Sequence, residues 1–191
     1  MRNNYLKNII AFIISIVFSA LHMYAQNKNP NIIYILADDL GYGDVSSFNK
    51  ESKIKTLNID RLASQGMMFT DAHSGSAVCS PTRYGILTGR YAWRSSLQNG
   101  VLWSYDKPLI APERLSVASL LKNNGYNTAC IGKWHLGLDW QKNTAGEYDL
   151  SSEVKGPGII GFDYSFIISA SLDIPPYVYI ENGKVTATSF D

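Results

Sequence analysis

The run SVASLLKNNGYNTACIGKWH, residues 116–135, decides the fold class. Val117, Leu120 and Leu121 recur at helical spacing behind Ser116, and Gly125 supplies a stop, which predicts a helix from Ser116 to Asn124. A strand is predicted from Asn127 to Ile131, leading into Gly132-Lys133-Trp134-His135. Working outward, the continuous apolar run Asn31–Ala37 is expected as a strand buried on both faces of a parallel sheet, and it ends abruptly in Asp38-Asp39. A short helix is expected over Asn58–Gln65, with Ile59, Leu62 and Ala63 on one face and Gly66 as its stop. Met67–Thr70 is expected as a further strand. Another helix opens at Ser80-Pro81, with Ser80 as N-cap, Pro81 in the first turn, Ile86 and Leu87 facing the core and Gly89 closing it. Residues 140–160 are polar and glycine-rich, a predicted surface loop. Strands alternating with helices imply an α/β layer architecture.

The bulk numbers fit that expectation. The chain has 191 residues, 46% of them hydrophobic and 12% aromatic, enough for one domain with a core. Its net charge of +1 carries no clustered basic face of the kind nucleic acid requires. There is no internal repeat and no low-complexity segment. Residues 1–25 have the order of a secretory signal: Arg2 and Lys7 precede the apolar stretch Ile9–Leu21, with a cut expected after Ala25. That apolar stretch is shorter than the ~20 residues that cross a bilayer. An uncleaved anchor is the other reading. Removal of residues 1–25 takes away two positive charges and leaves a net charge of −1 on residues 26–191.

Only two cysteines are present, Cys79 and Cys130. In an exported protein such a pair admits a disulfide. Cys79 also has chemistry around it. It stands at the start of the helix that Ser80-Pro81 predicts, where free N–H groups gather anions. Arg83 follows one helical turn later on the same face. Nucleophile, positive dipole end and guanidinium therefore converge on a spot suited to a tetrahedral anion such as sulfate or phosphate. Asp38-Asp39 is either turn chemistry or a pair of hard oxygen ligands of the kind Ca²⁺ prefers. Asp44 belongs to the turn or behind such ligands. Lys133 and His135, at the end of a predicted strand, can reach one pocket edge as an anion contact and a proton-exchanging group, or are ordinary polar residues. Trp134 and Cys130 are expected to pack, and His73 lies in a polar loop.

Cys79-Ser80-Pro81-Thr82-Arg83 followed by Leu87-Thr88-Gly89-Arg90 resembles the signature of the sulfatase family, and Gly125–His135 resembles that family's second signature. Asp38-Asp39 resembles its first metal block. The resemblance implies an alkaline-phosphatase-like sandwich with a central, mostly parallel sheet flanked by helices. It implies a formylglycine nucleophile made from Cys79 by a formylglycine-generating or sulfatase-maturating enzyme. It further implies one divalent metal, Ca²⁺, held by Asp38, Asp39 and the modified Cys79. Lys133 would contact sulfate, His135 would assist the nucleophile's hydroxyl, and Arg83 stands with them as a catalytic candidate. Gly161-Phe162-Asp163-Tyr164 and the stretch from Ser169 to Pro176 resemble a segment of bacterial relatives, which offers Ser169, Ser171 and Asp173 as substrate contacts.

The implied activity is hydrolysis of sulfate esters, on a sulfated glycan or an aryl sulfate, by an exported, periplasmic or secreted enzyme that meets a membrane only through its export signal. The alternatives are a phosphodiesterase or phosphonate hydrolase on the same scaffold, and a non-catalytic protein with a Cys79–Cys130 disulfide. Residues 26–191 correspond to the amino-terminal part of the family's catalytic domain. The second metal block and a further lysine and histidine are not found after position 137, so the expectation is a truncated domain without turnover of its own. Leu57 replaces a frequent proline, and Ile167 follows Phe166 where many relatives have glycine, which bears on loop shape near the substrate.

Overall fold

The computed structural model describes residues 29–187 together with Tyr5 and Phe12. The expected export signal lies outside the described residues, apart from those two. The chain divides into two units, Met1–Lys55 and Thr56–Asp191.

In the first unit the expected strand over 31–37 does not form. The backbone has no ladder partner there, and Ile33 and Ile35 are 84% and 80% exposed. An apolar run becomes a strand only when another backbone takes up its N–H and C=O groups, and none of the described residues does so. A turn at Asp38-Asp39 follows, with Asp39 at φ 56. Beyond a short 3-10 turn, Tyr42–Asp44, the Tyr42 and Phe48 rings pack at 4.6 Å and Ser52 donates to the Asp44 carbonyl at 2.8 Å.

Among the described residues the second unit carries three α-helices, α1 (Leu57–Gln65), α2 (Cys79–Thr88) and α3 (Val117–Asn123). It also carries four strands, β1 (Ala129–Lys133), β2 (Tyr164–Ile168), β3 (Tyr179–Glu181) and β4 (Lys184–Val185). Strand order is β1-β2-β3-β4. The β1–β2 pairing is parallel and sets Lys133 opposite Ile168; the two later pairings are antiparallel. The architecture is α/β with a small open sheet, as the sequence predicts. The described sheet is mixed, because β3 runs antiparallel to β2 and then turns through a tight hairpin into β4. Met67–Thr70 forms no strand, and Met67 and Phe69 stay exposed.

Helix α3 shows how local sequence sets a boundary. Ser116 accepts from the Ser119 amide at 3.0 Å while the Ser119 hydroxyl accepts from the Ser116 amide at 2.9 Å, a reciprocal capping box. Such a cap contributes ~1 kcal/mol. The predicted inward face is nevertheless poorly covered: Val117 and Leu120 are exposed and Leu121 is only half-buried, while the buried residue is Ala118, outside that face.

The core gathers on the segment that leaves β1. Trp134, Leu136, Leu138 and Trp140 are buried together with Tyr84, Ile110, Val154, Ile160, Ile167 and Ile180. Trp134 is thus a packing residue, as expected. Residue 137 must be glycine: φ is +76 and a Cβ would stand 2.1 Å from the Lys107 carbonyl oxygen. Residues 140–160 are not simply a surface loop, since Trp140, Val154 and Ile160 enter this core and Pro157–Ile160 forms a 3-10 turn. Ile167 lies inside β2 and is buried, so the departure at that position fills the core and does not shape a loop.

Asp163 clasps the start of β1 to the start of β2. Its carboxylate accepts from the Thr128 amide at 2.9 Å and hydroxyl at 3.0 Å, and pairs with Lys122 at 2.6 Å. The Lys122 hydrogen bond first, and then those from Thr128, hold its carboxyl down at about 2. A depressed folded-state value means the contribution is full above the unfolded range near ~4 and fades as pH falls towards ~2. Asp163→Asn is therefore expected to lower the thermal midpoint at neutral pH and to flatten its fall between ~pH 4 and 2. Parallel wild-type and variant melts across that window provide the check; identical slopes would remove Asp163 from the acid response.

Candidate active site

Cys79 is the first residue of α2, not the residue before its cap. Val78 is the N-cap, in extended conformation and without a side-chain cap bond. Ser80, expected as the N-cap, is therefore the second residue of the helix, two positions further in. It is fully buried, and its hydroxyl accepts from the Leu102 amide at 3.1 Å. Pro81 is tolerated because the first amides of a helix have no intrahelical acceptor. Gly89 closes the helix in the left-handed conformation, donating to the Gly85 carbonyl at 2.8 Å.

The parallel β1–β2 register brings the other candidates to Cys79. Lys133 ends β1, and its Nζ lies 3.1 Å from Cys79 Sγ and 3.2 Å from Ser171 Oγ. Arg83 Nη1 donates to the Lys133 carbonyl at 2.5 Å. A guanidinium has five donors, so this bond uses one of them to tie α2 to the end of β1. Arg83 thus has a bracing role that the motif does not announce. The register continues past β1, with the Trp134 amide on the Ile168 carbonyl and the His135 amide on the Ser169 carbonyl, both at 3.1 Å.

His135 is buried at φ 55, and its Nε2 lies 2.7 Å from the Leu102 carbonyl. A carbonyl only accepts, so Nε2 carries the proton and the ring is fixed. Leu102 thereby joins Ser80 and His135 through its backbone. No side-chain signal could have marked it, since any residue offers the same amide and carbonyl.

Of the three candidate substrate contacts, Ser171 reaches Lys133 and Asp173 is exposed beside it. The neighbouring Ser171 hydroxyl first, then its own backbone amide, and after these the charges of Lys133 and His135, pull the Asp173 carboxyl below its usual range. Ser169 is buried, and its hydroxyl meets no partner among the described residues. A cleft of about 170 Å³ opens between the end of β2 and the start of β3, with Ser169, Ser171, Leu172, Tyr177 and Tyr179 in its walls; Cys79, Lys133 and His135 do not line it. His73 pairs with Asp71 at 2.7 Å on the surface, outside this group.

Both cysteines are free, which excludes the Cys79–Cys130 disulfide from this structure. Cys130 packs against the core, and burial pushes its thiol up to about 11 against the opposing pull of Arg83. It behaves as a small apolar residue. Asp38 and Asp39 belong to the first unit and are exposed on their turn. Two adjacent carboxylates are chemically fitted to a hard cation. Among the described residues, however, no three His, Cys, Asp or Glu side chains gather as a metal cluster. No helix among them is long and apolar enough to cross a membrane.

Comparison with known proteins meets this geometry from another side. The N-acetylgalactosamine-6-O-sulfatase of Bacteroides thetaiotaomicron is 43% identical over 160 residues, 84% of this chain and 30% of that protein. Mouse (Mus musculus) arylsulfatase G is 40% identical over 148 residues, 76% of this chain and 25% of its own length. The chain thus spans under a third of the length of these relatives. Among solved structures, a sulfatase from work on glycosaminoglycan metabolism by Bacteroides thetaiotaomicron aligns with a TM-score of 0.75 at 43% identity, covering 84% of this chain and 32% of that one. A structure of Ps i-CgsB in complex with k-i-k-neocarrahexaose aligns at 0.56 and 30% identity, covering 75% and 29%. The family profile named Sulfatase matches residues 30–182, a span holding Asp38, Cys79, Lys133 and Ser171 alike, and on that extent of agreement the chain belongs to the sulfatase family.

Proposed function

We propose that the protein carrying this chain hydrolyses sulfate esters of saccharides, after Cys79 has been oxidised to formylglycine by a maturating enzyme and with Ca²⁺ held in part by Asp38 and Asp39. Export through residues 1–25 belongs to the same proposal. The observation that carries it is the Lys133 ammonium 3.1 Å from the Cys79 sulfur, at the first residue of a helix. The sulfur stands where the formylglycine oxygens would be. Formylglycine supplies a hydroxyl nucleophile that a thiol cannot, and the cation supplies charge to sulfate oxygens.

The chain's own residues account for anion binding and orientation. Lys133 places a positive charge where the sulfate oxygens would come, and the opening amides of α2 add theirs. Arg83 fixes the Lys133 backbone, so the ammonium starts from a set point. His135, locked by Leu102, keeps its imidazole in one orientation, two residues beyond Lys133. The net reaction consumes one water: the S–O bond to the sugar breaks, the sugar oxygen takes a proton, and hydrogen sulfate leaves. The saccharide reading is supported by the relative named for N-acetylgalactosamine-6-O-sulfate chemistry and by the neighbour solved with a neocarrahexaose.

The phosphoester alternative is tested by comparing kcat/KM for 4-nitrophenyl sulfate, 4-nitrophenyl phosphate and 6-O-sulfated N-acetylgalactosamine on the full-length matured protein. Sulfate should be preferred over phosphate by at least about 10²-fold, and the sugar sulfate should be a substrate. A preference for phosphate would overturn the proposal.

A further inference from the structure

We propose that the Asn99-Gly100 pair is a site of spontaneous deamidation, that part of its product is isoaspartate, and that this change ages the reaction centre through Leu102. The inference goes beyond the sulfate-ester reading above, and its chemistry does not depend on that reading.

The chain has three Asn-Gly pairs, at 99-100, 124-125 and 182-183. A following glycine favours the reaction, since no side chain hinders its amide nitrogen as it closes on the asparagine. The structure separates the three. Asn124 donates from Nδ2 to the Leu120 carbonyl at 2.8 Å, and the Gly125 amide is held by the Lys122 carbonyl at 3.0 Å. Asn182 sits in the β3–β4 hairpin, where its Oδ1 accepts from the Ser165 amide and its own amide donates to the Ser165 carbonyl, both at 2.9 Å. Asn99 and Gly100 are exposed, and among the described residues neither the Asn99 side chain nor the Gly100 amide has a hydrogen-bond partner. Nothing stands within 4 Å of where a Gly100 Cβ would be, so a ring can close there without displacing a neighbour.

The step needs only water. The Gly100 amide nitrogen gives up its proton and bonds to the Asn99 side-chain carbonyl carbon, and the side-chain nitrogen leaves with a returned proton as ammonia. The cyclic imide then takes up one water. Opening at the side-chain carbonyl gives aspartate; opening at the main-chain carbonyl gives isoaspartate, whose backbone is one carbon longer. Anchors on both sides make that extra carbon matter. Before the pair, Gln98 Nε2 donates to the Trp93 and Ser95 carbonyls at 3.0 and 2.6 Å. After it, the Leu102 amide donates to Ser80 Oγ at 3.1 Å and the Leu102 carbonyl accepts from His135 Nε2 at 2.7 Å. Lengthening the chain between these anchors displaces the second, and with it the carbonyl that orients His135.

The test is timed incubation of the full-length matured protein in mildly alkaline buffer, followed by tryptic mapping. The pairs fall on separate peptides, Ser95–Arg114, Asn123–Lys133 and Gly156–Lys184. Ser95–Arg114 should gain about one mass unit at least about tenfold faster than the other two, because a hydrogen-bonded group reacts only in its rare open states. Isoaspartyl methyltransferase should label that peptide, and Asn99→Gln, whose longer side chain closes a ring far more slowly, should abolish the label. As isoaspartate accumulates in wild type, kcat/KM on a sugar sulfate and the thermal midpoint should fall in step with it, while both hold steady in Asn99→Gln. Equal rates on the three peptides, or faster change at Asn124 or Asn182, would overturn the site. Unchanged activity and melting in the labelled protein, or the same decline in Asn99→Gln, would overturn the link through Leu102. A protein inactive on sulfate esters from the start would instead fail the sulfate-ester reading, while the peptide masses and the melts still decide this one.

Discussion

Cys79→Ala in the full-length matured protein is expected to lower sulfate release by about 10⁴-fold or more in kcat, with folding intact. Removing the covalent nucleophile of a group-transfer site has effects of this size because the remaining groups bind but cannot form the bond. Packing gives little reason for collateral damage. Cys79 is half-buried at a helix start, and alanine keeps the helix while deleting only the sulfur that faces Lys133. The same experiment carries a chemical control. The tryptic peptide Leu62–Arg83 from native-host wild-type protein should have the lower mass of an aldehyde at position 79. The variant peptide should show only the alanine mass. A free, alkylatable thiol in fully active wild type would defeat the formylglycine assignment, and residual activity within tenfold of wild type would remove Cys79 from catalysis.

How much of this was legible in the sequence depends on which residues carry it. The close of α2 at Gly89, a strand running up to Lys133 and the packing role of Trp134 followed from spacing, because each is a local property of a few neighbouring side chains; the start of α2 did not, since Val78 and not Ser80 is its N-cap. Ser171 was legible only as a candidate contact. Its link to Lys133 spans 38 residues and exists because β1 and β2 pair in parallel with Lys133 opposite Ile168. Nothing in either segment announces that register. The Arg83 bond to the Lys133 carbonyl and the double use of the Leu102 backbone were equally hidden, since a main-chain acceptor has no sequence of its own.

The failures have a common physical cause. The run 31–37 patterns as a doubly buried strand, yet Ile33 and Ile35 are almost fully exposed. Val117 and Leu120 on α3 and Ile131 on β1, the last 73% exposed, show the same discrepancy. Periodicity reports which face of a segment is apolar; whether that face is covered depends on segments elsewhere. Within the second unit, wherever the covering segment is present, as around Trp134, Leu136 and Ile167, the pattern and the burial agree.

Lys133→Ala should be the second large effect, lowering kcat/KM by about 10²- to 10³-fold, the range seen when one preorganised donor to a developing anion is removed. The ammonium is the positive group in direct contact with the Cys79 sulfur. It is also held from two sides, by Ser171 at its tip and by Arg83 at its backbone, so its charge is in place before substrate arrives. Because sulfate is anionic both before and during the transfer, KM should rise as well as kcat fall. Lys133→Arg should recover only part of the loss, since a planar fork cannot replace a compact ammonium seated between sulfur and hydroxyl. Thermal unfolding should move little, because the side chain is only half-buried and alanine leaves the β1–β2 ladder intact. The discriminating measurement is the pair of constants on one substrate, with inorganic sulfate as competitor. A fall in kcat/KM accompanied by weaker sulfate inhibition places the charge on the anion. A loss of stability with unchanged inhibition would make Lys133 a structural residue and would take with it the anion site built on Cys79, Lys133 and Ser171.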